Sequence, residues 1–392
     1  MSQLIKTEYL VPDYYPKFLC KCGECRHVCC HGWDVALPMN EYYRLLGLEC
    51  TPEIRRKLDT AMRMVDNPRP ERYAVFAKGW DGGCPLHDED GLCMLQKNMG
   101  EGVLPWICRL YPRRHSERYG FECSCSGGCE HTLELLFASD EKLGFVHREL
   151  EFEAADEKPA DEFVLKYYNP VRRLCISVMQ NRDIPLSQRI VGLCSLVDRI
   201  SAAYKAKDSA ALDEILAGDY NCSDSAVCGE DLCTALDVIE LIVTHFVRIS
   251  PNLAEYGDPA LEAVGLDGEG ITDVIMAKYR ELSAAFDKRY PKNELYFEQI
   301  LVNHIFHEGY PFSDQFTDMR HGNIALCSLY ALIRFICICC TTDDSGMDGL
   351  VDTMAAVLRM AESSPFGVRA AILLGKAKMD DAHSVMSMVT SL

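Results

Sequence analysis

Cysteines crowd the opening third of this chain. Twelve of its 21 cysteines lie within the first 129 residues, between the segments FLCKCGECRHVCCHGW and FECSCSGGCE. Thiolates in this number favour zinc or an iron–sulfur cluster over hard cations, which prefer carboxylates and water. The alternative is a disulfide framework, which is typical of secreted proteins. The opening residues MSQLIKTEYLVPDYYP do not resemble a secretory signal, so we expect a cytoplasmic protein whose reduced thiols bind metal.

The spacing of the cysteines favours a cluster over zinc. Structural zinc sites usually contain paired CxxC motifs, and in this part of the chain only Cys22 and Cys25 have that spacing. Iron–sulfur clusters take ligands from distant segments, and the vicinal Cys29 and Cys30 suit a site in which neighbouring sulfurs point in different directions. We therefore predict a 4Fe–4S cluster, with zinc as the alternative.

Two differently patterned regions must position these thiols. Residues 1–130 contain short apolar pieces separated by Pro, Gly and Cys, whereas residues 131–392 repeat apolar residues three and four apart, which predicts about ten helices. The fold class is therefore predicted to be mainly α: an irregular cysteine-rich metal-binding N-terminal module (1–130) with a short β-hairpin, followed by an α-helical bundle-like domain (131–392). The elements predicted in the module are a strand at Tyr73–Ala77, a turn at Asp90-Gly91, and helices at Asn40–Leu48 and Pro52–Val65. In the second region, Pro170 is among the predicted helix breaks.

The charge of the chain excludes several classes of partner. Forty basic and 59 acidic side chains give a net charge of −19, which repels phosphate backbones and anionic lipid. We therefore expect neither nucleic acid nor membrane as a partner. The longest apolar run, Ile324–Cys340, is interrupted by Arg334 and is shorter than the roughly 20 residues of a spanning helix, so it predicts a buried helix.

The order of short motifs around the cysteines resembles a known family. A tyrosine-rich start is followed by FxC, CxxxCCxGW, CPL, GLCMLQ, CRLYPR and SCS. Over residues 8–130 this order is similar to that of the flagellin lysine-N-methylases, and more loosely to short cysteine-rich domains described as zinc- or iron-chelating. The family's eight recurring cysteines fall on Cys20, Cys25, Cys29, Cys30, Cys84, Cys93, Cys108 and Cys125.

The residues that flank these cysteines extend the resemblance. Trp33 follows the vicinal pair, and Tyr111 and Arg113 follow Cys108, whereas the helical region shows only general likeness. Cysteines 22, 123 and 129 are additional to the eight. The resemblance implies a bacterial cytoplasmic enzyme that moves a methyl group from S-adenosylmethionine to the ε-amine of flagellin lysines, with an iron–sulfur cluster needed for activity. No catalytic residue is assigned.

Basic and aromatic side chains near the cysteines are candidates for binding the methyl donor. Arg113, with Arg109 and Arg114 beside it, can offset the charge of a thiolate-bound cluster or clamp the carboxylate of S-adenosylmethionine. Trp33 and Tyr111 can attract a sulfonium or ammonium by cation–π interaction or simply pack over the metal site. The nearest match to a Gly-rich cofactor loop is the segment VGLDGEG at 264–270. A turn that ends a helix also accounts for the glycines of this segment.

Histidines and later cysteines have plain structural explanations as well as chemical ones. His304 and His307 lie one turn apart and can bind metal or accept a proton, or can be core residues. His31 is the histidine most suited to replace a thiolate. Two later cysteine groups suit either burial or a second metal site; they are Cys222, Cys228 and Cys233, and then Cys327, Cys337, Cys339 and Cys340.

The leading hypothesis from the sequence is a protein-lysine N-methyltransferase with a cluster-binding N-terminal module. The alternative from another class is a non-enzymatic zinc- or iron-binding adaptor protein, in which the metal only holds the module together. A redox role for the cluster is a third hypothesis.

Overall fold

The computed structural model of the protein describes residues 4–31, 35–79, 82–88, 90–153, 158–218, 220, 231–313, 315–316 and 318–392. Within these ranges there are sixteen α-helices and seven β-strands, and the mainly α prediction is confirmed. The strands are β1 (Leu4–Pro12), β2 (Ala36–Leu37), β3 (Met62–Arg69), β4 (Arg72–Phe76), β5 (Arg113–Ser116), β6 (Glu122–Cys125) and β7 (Phe145–Glu153).

The helices divide into a few short ones before residue 130 and a long series after it. The first group is α1 (Met39–Leu46), α2 (Pro52–Ala61), α3 (Met94–Met99) and α4 (Trp106–Leu110). The second is α5 (Glu130–Phe137), α6 (Glu162–Met179), α7 (Leu186–Lys205), α8 (Ser209–Ala217), α9 (Leu232–Val247), α10 (Pro251–Val264), α11 (Asp273–Arg289), α12 (Asn293–His307), α13 (Met319–Cys340), α14 (Gly346–Glu362), α15 (Phe366–Ala377) and α16 (Ala382–Thr390).

The strands form two small sheets. The first has the order β5-β6-β1-β7, with β1 parallel to β6 and antiparallel to β7 along its whole length, from Leu4 opposite Glu153 to Pro12 opposite Phe145. The second has the order β2-β4-β3 and is antiparallel. Strand β1 thus joins the start of the chain to the segment that leads into the helical series.

Two hydrophobic cores lie on either side of the cysteine-rich segment. The larger core combines residues 9–18 and 123–143 with the helices from α6 onward. The smaller core is formed by residues 35–104 alone, where β2, β4, α1 and α2 bury side chains such as Leu37, Leu45 and Leu58. The larger core therefore contains residues from both sides of residue 130, because β1, β6 and β7 pack against the helices.

Several helix boundaries follow local side chains. Asp161, Asp208 and Asp231 accept hydrogen bonds from backbone amides at the starts of α6, α8 and α9, as N-cap residues do. Two sequence predictions were wrong in detail. The helix predicted at Pro52–Val65 ends at Ala61, since Met62 begins β3 and pairs with Phe76. Pro170 does not break α6, which continues through it because packing in the larger core outweighs the lost hydrogen bond.

Helix α13 is the central helix of the larger core. By length and composition alone it is long and apolar enough to cross a membrane, but 78% of its most apolar 18-residue window is buried inside the protein. It contacts α7, α9, α10, α14, α15 and α16. The prediction of a buried helix at Ile324–Cys340 is confirmed.

The N-terminal part and the helical series meet closely at one glycine. The backbone at Gly128 lies against α14, where a Cβ would sit 2.7 Å from Cα and 2.9 Å from N of Arg359. Arg359 is 6% exposed, and its Nε donates a 3.1 Å hydrogen bond to the Gly128 carbonyl. Only glycine fits this approach, because the opposing atoms are backbone and cannot rotate away.

We predict that Gly128→Ala destabilises the protein by about 1–3 kcal/mol, since the added methyl group pushes α14 away from the cysteine-rich segment. The measurement is urea unfolding followed by circular dichroism. Gly102→Ala is the matched control, because a Cβ there meets no atom within 4 Å and the substitution should leave stability unchanged or raise it slightly. Equal stability of the two variants would contradict the prediction.

Candidate metal centre

A buried carboxylate positions the first cysteine segment. Glu130, whose side chain is 2% exposed, begins α5 and accepts hydrogen bonds from the backbone amides of Arg26 and His27 at 3.1 Å each. It also accepts from Nζ of Lys21 at 3.1 Å, and Lys21 reaches Glu134 at 2.7 Å. These contacts fix residues 21–27 against the start of α5 and so bring the early cysteines next to Cys129.

A short hairpin positions the second group of cysteines. Cys93 pairs antiparallel with His87, and the His87 amide donates to the Cys84 carbonyl at 3.0 Å. The turn between them lies near Gly91, as predicted from the Asp90-Gly91 pair. Cys93 then precedes α3 as its N-cap residue, and Cys108 lies on α4. Cys84, Cys93 and Cys108 all pack against the smaller core.

The two groups of cysteines line one cavity of about 290 Å³. Cys29 and Cys30 both line it, with their Sγ atoms 3.8 Å apart. A single ion bonded to four thiolates at about 2.3 Å needs no open volume, whereas a cavity of this size has room for a multi-atom cluster. The lining thiols are those of Cys20, Cys22, Cys25, Cys29, Cys30, Cys84, Cys93, Cys108 and Cys129. This donor set fits a soft metal or an iron–sulfur cluster.

The structure brings together seven of the eight cysteines predicted as ligands and leaves Cys125 apart. Cys125 lies on β6, where it is fully buried in the larger core. Its amide donates to the Tyr14 hydroxyl at 3.2 Å and its carbonyl accepts from Asn303 at 3.0 Å. In its place Cys129, three residues beyond the end of the SCS motif, lines the cavity. Trp33 lies outside the described residues.

Electrostatics favour thiolate at one position and neutral thiol at most others. The hydrogen bond with Cys30 lowers the pKa of Cys29 to about 7, and the charge of Arg359 acts in the same direction against the effect of burial. Burial raises the pKa of Cys25 to about 12 and that of Cys84 to about 11. Metal ligands are deprotonated thiols, so binding at these positions releases protons.

The predicted donor-binding residues lie at one wall of the cavity. Tyr111 and Arg113 both line it, and the Arg113 guanidinium lies 5.0 Å from the ring centroid of Phe18. Arg109 also lines the cavity but donates to Glu153 on β7 at 3.1 Å. Because side chains alternate along a strand, Arg114 points away and pairs with Glu308 at 2.9 Å.

The sequence analysis missed two basic lining residues that lie next to cysteines in the chain. His131 lies in α5, two residues after Cys129, and lines the cavity. Its Nδ1 atom lies 3.0 Å from Oε2 of Glu134. Lys21 also lines the cavity from between Cys20 and Cys22. Their proximity to cysteines in the sequence was the available signal. His31, by contrast, is not among the lining residues of this cavity and lies at the neighbouring surface groove with Asn252.

His304 and His307, which were considered as chemical groups, contact buried polar residues of the larger core. His304 Nδ1 lies 3.2 Å from Glu362, which also accepts a 2.5 Å hydrogen bond from Ser126. Burial raises the pKa of Glu362, but the hydrogen bond and charges of the two histidines outweigh it and lower the pKa to about 2. His307 contacts Ser124 at 2.9 Å. The arrangement joins α12 and α14 to β6.

The remaining candidates have structural roles where the structure describes them. Cys327 and Cys337 are fully buried in the larger core. The Sγ atoms of Cys194 and Cys327 are 3.5 Å apart. Cys233 is exposed on α9. Cysteines 222 and 228 lie outside the described residues. In the predicted cofactor loop, Gly265 adopts a left-handed conformation that ends α10, so a helix-ending turn accounts for it.

Comparisons with known proteins point to one family. The model of the FliB lysine N-methylase C-terminal domain matches residues 172–386, more than half of the chain. Two proteins named lysine-N-methylase, from Salmonella typhimurium strain LT2 and Salmonella choleraesuis strain SC-B67, are each 25% identical, over 221 and 229 residues. Each match covers 55% of this chain and 52% of the relative, so the chain spans about half the length of these relatives. The flagellar biosynthetic protein FliU of Salmonella muenchen is 27% identical over 115 residues, 29% of this chain and 66% of that protein. No solved structure matches the chain.

We predict that Glu362→Gln destabilises the protein by about 2–3 kcal/mol at pH 7, because charge-assisted hydrogen bonds to Ser126 and His304 are lost. Glu362 has a lowered pKa when folded, so its contribution is complete above its unfolded value of about 4.5 and disappears as the pH falls toward 2. The difference between wild type and variant should therefore shrink over this window.

Thermal unfolding between pH 7 and pH 2 measures that difference. Glu149→Gln is the control, since Glu149 is 64% exposed in its pair with Lys6 and should change stability little at any pH. A difference for Glu362→Gln that is independent of pH would rule out the charged role.

Proposed function

The chain belongs to the FliB lysine N-methylase family, and we propose that it is a protein-lysine N-methyltransferase. The proposed reaction moves a methyl group from S-adenosylmethionine to the ε-amine of lysines in flagellin, and requires a 4Fe–4S cluster in the cysteine cavity. The names of the matching lysine-N-methylases support the reaction, and the name of FliU supports a flagellar protein as partner. The acidic surface, with a net charge of −19, suits a lysine-bearing substrate.

One observation carries the cofactor proposal: nine thiols from separate segments line a single cavity. Thiolates select soft metals, and the volume of about 290 Å³ favours a cluster over one zinc ion. When bound, such a cluster supplies a redox-active, Lewis-acidic iron centre. A cytoplasmic location is part of the proposal, because these thiols bind metal only when they are reduced.

Methyl transfer makes specific demands on the protein groups. The lone pair of a neutral lysine nitrogen forms the new C–N bond, the methyl–sulfur bond breaks, S-adenosylhomocysteine leaves, and the nitrogen loses its proton to base or water. A site that excludes water lowers the lysine pKa and so favours the neutral amine. Phe18, Leu86 and Leu104, which line the cavity, supply such apolar surroundings. Arg113 is the proposed partner of the donor carboxylate, and the Tyr111 ring lies on the same wall.

We predict that Cys30→Ala, Cys93→Ala and Cys108→Ala each lower methyl transfer to purified flagellin by about 100-fold or more and remove absorption near 400 nm, because each deletes a cluster ligand. Proteins purified without oxygen are compared by transfer of a labelled methyl group. Cys50→Ala is the matched control, since Cys50 packs against the smaller core without lining the cavity.

The outcome also separates the proposed enzyme from a metal-binding adaptor. A colourless zinc protein that neither binds S-adenosylmethionine nor methylates flagellin would contradict the enzyme proposal and support the adaptor. A brown protein with full transfer activity in all three cavity variants would contradict the requirement for the cluster.

We predict that Arg113→Gln weakens binding of S-adenosylmethionine by about 10-fold or more, because a charge-assisted hydrogen bond contributes about 1.5–3 kcal/mol. Arg113→Lys should give an intermediate value, since it retains charge but not the planar fork. Isothermal titration calorimetry under anaerobic conditions measures the affinity. Arg114→Gln, on the opposite face of β5, is the control. Equal affinities for wild type and Arg113→Gln would remove this residue from the donor site.

A further inference from the structure

The number of thiols around the cavity exceeds what one cluster uses. A 4Fe–4S cluster takes four cysteine ligands, and nine cysteines line this cavity. The surplus is sufficient for a second set of four. The question is whether the structure groups the thiols into two sets or distributes them around one centre.

Four of the thiols form a group on the side of the smaller core. Cys84 and Cys93 are carried by the short hairpin, and Cys108 by α4, and all three pack against this core. Cys30 lines the cavity as well and follows the anchored segment of residues 21–27, and its Sγ lies 3.8 Å from that of Cys29. We name this the inner thiol group: Cys30, Cys84, Cys93 and Cys108.

Another four form a group on the side of the larger core and nearer to solvent. Cys20 and Cys22 are exposed, Cys25 is partly buried, and Cys129 packs against the larger core. We name this the outer thiol group: Cys20, Cys22, Cys25 and Cys129.

The outer thiol group is assembled by contacts of its own. The Cys22 amide lies 3.4 Å from Sγ of Cys20. Glu130, the residue after Cys129, holds the Arg26 and His27 amides just beyond Cys25. The anchor thus brings the beginning and the end of the cysteine-rich segment together at one place.

Backbone strain marks the same group. Cys22 has a φ of +55°, a left-handed conformation that costs a residue with a Cβ about 1 kcal/mol or more and that is usually retained where surrounding structure or function demands it. Cys22 and Cys25 also have the two-residue separation of a metal-binding knuckle.

We propose that the cavity holds two thiolate-bound soft-metal centres, the second one bound by the outer thiol group. This inference rests on the proposed function for the inner centre, where the 4Fe–4S cluster is expected. The outer thiols suit a second iron–sulfur cluster rather than a zinc ion, because no three of the thiols that the structure describes lie within 4.8 Å of one another as one ion requires. Because Cys20 and Cys22 are exposed, the outer centre exchanges its metal more readily than the inner one.

The test is the metal content of the full chain, purified and reconstituted without oxygen. Iron and zinc are counted by mass spectrometry and sulfide by chemical assay, in wild type and in Cys22→Ser/Cys129→Ser. Wild type should contain two clusters per chain. The double variant should lose one cluster, with half of the iron and half of the sulfide, and keep the visible spectrum of the inner cluster. Cys50→Ser should match wild type.

Two results would overturn the second centre: wild-type metal equal to one centre per chain, or a double variant that retains all the metal of wild type. If the double variant does not fold, the wild-type count alone decides. Chelator added to wild type gives an independent readout, since release in two phases supports two centres and release in one phase opposes them. A metal-free wild type without visible absorption would instead contradict the proposed function.

Discussion

The cysteine cavity depends on one buried carboxylate. Residues 20–30 are rich in Cys and charged side chains, so they have too little apolar surface to hold a position by packing. Glu130 compensates for this by accepting two backbone amides and the Lys21 ammonium, while its own backbone starts α5. A carboxylate so fully hydrogen-bonded is stable when buried, and removal of any donor leaves charge without a partner. The geometry of the outer thiols therefore follows from Glu130.

The cavity lies where two independently formed cores meet. Cys84, Cys93 and Cys108 belong to the smaller core, and Cys129 belongs to the larger one. A metal centre that takes ligands from both would add covalent links across the boundary between the two cores. Metal binding would then contribute to the stability of the whole chain as well as to that of the cysteine-rich segment.

The sequence predicted the fold class and the family better than it predicted which cysteines line the cavity. Helical periodicity was sufficient for the mainly α class, and the motifs at residues 8–130 resembled the family whose model matches residues 172–386. The order of cysteines cannot reveal which strand face a thiol occupies, so Cys125 was placed among the ligands although β6 directs it into the larger core. Strands β1 and β7 were missed because their exposed faces mix charged and apolar residues. Arg359 was missed because nothing local connects it to a cysteine 330 residues earlier.

Charge explains why arginines surround a cavity in so acidic a protein. Thiolates bound to metal carry more negative charge than the metal cancels, and the chain already has a net charge of −19. Arg109 and Arg113 line the cavity, and Arg359 approaches Cys29 from α14. Arginine suits this position better than lysine, because a guanidinium keeps its charge when water is excluded. The same positive wall can receive the carboxylate of a methyl donor, so the charges that stabilise a thiolate-bound metal also favour an anionic ligand beside it.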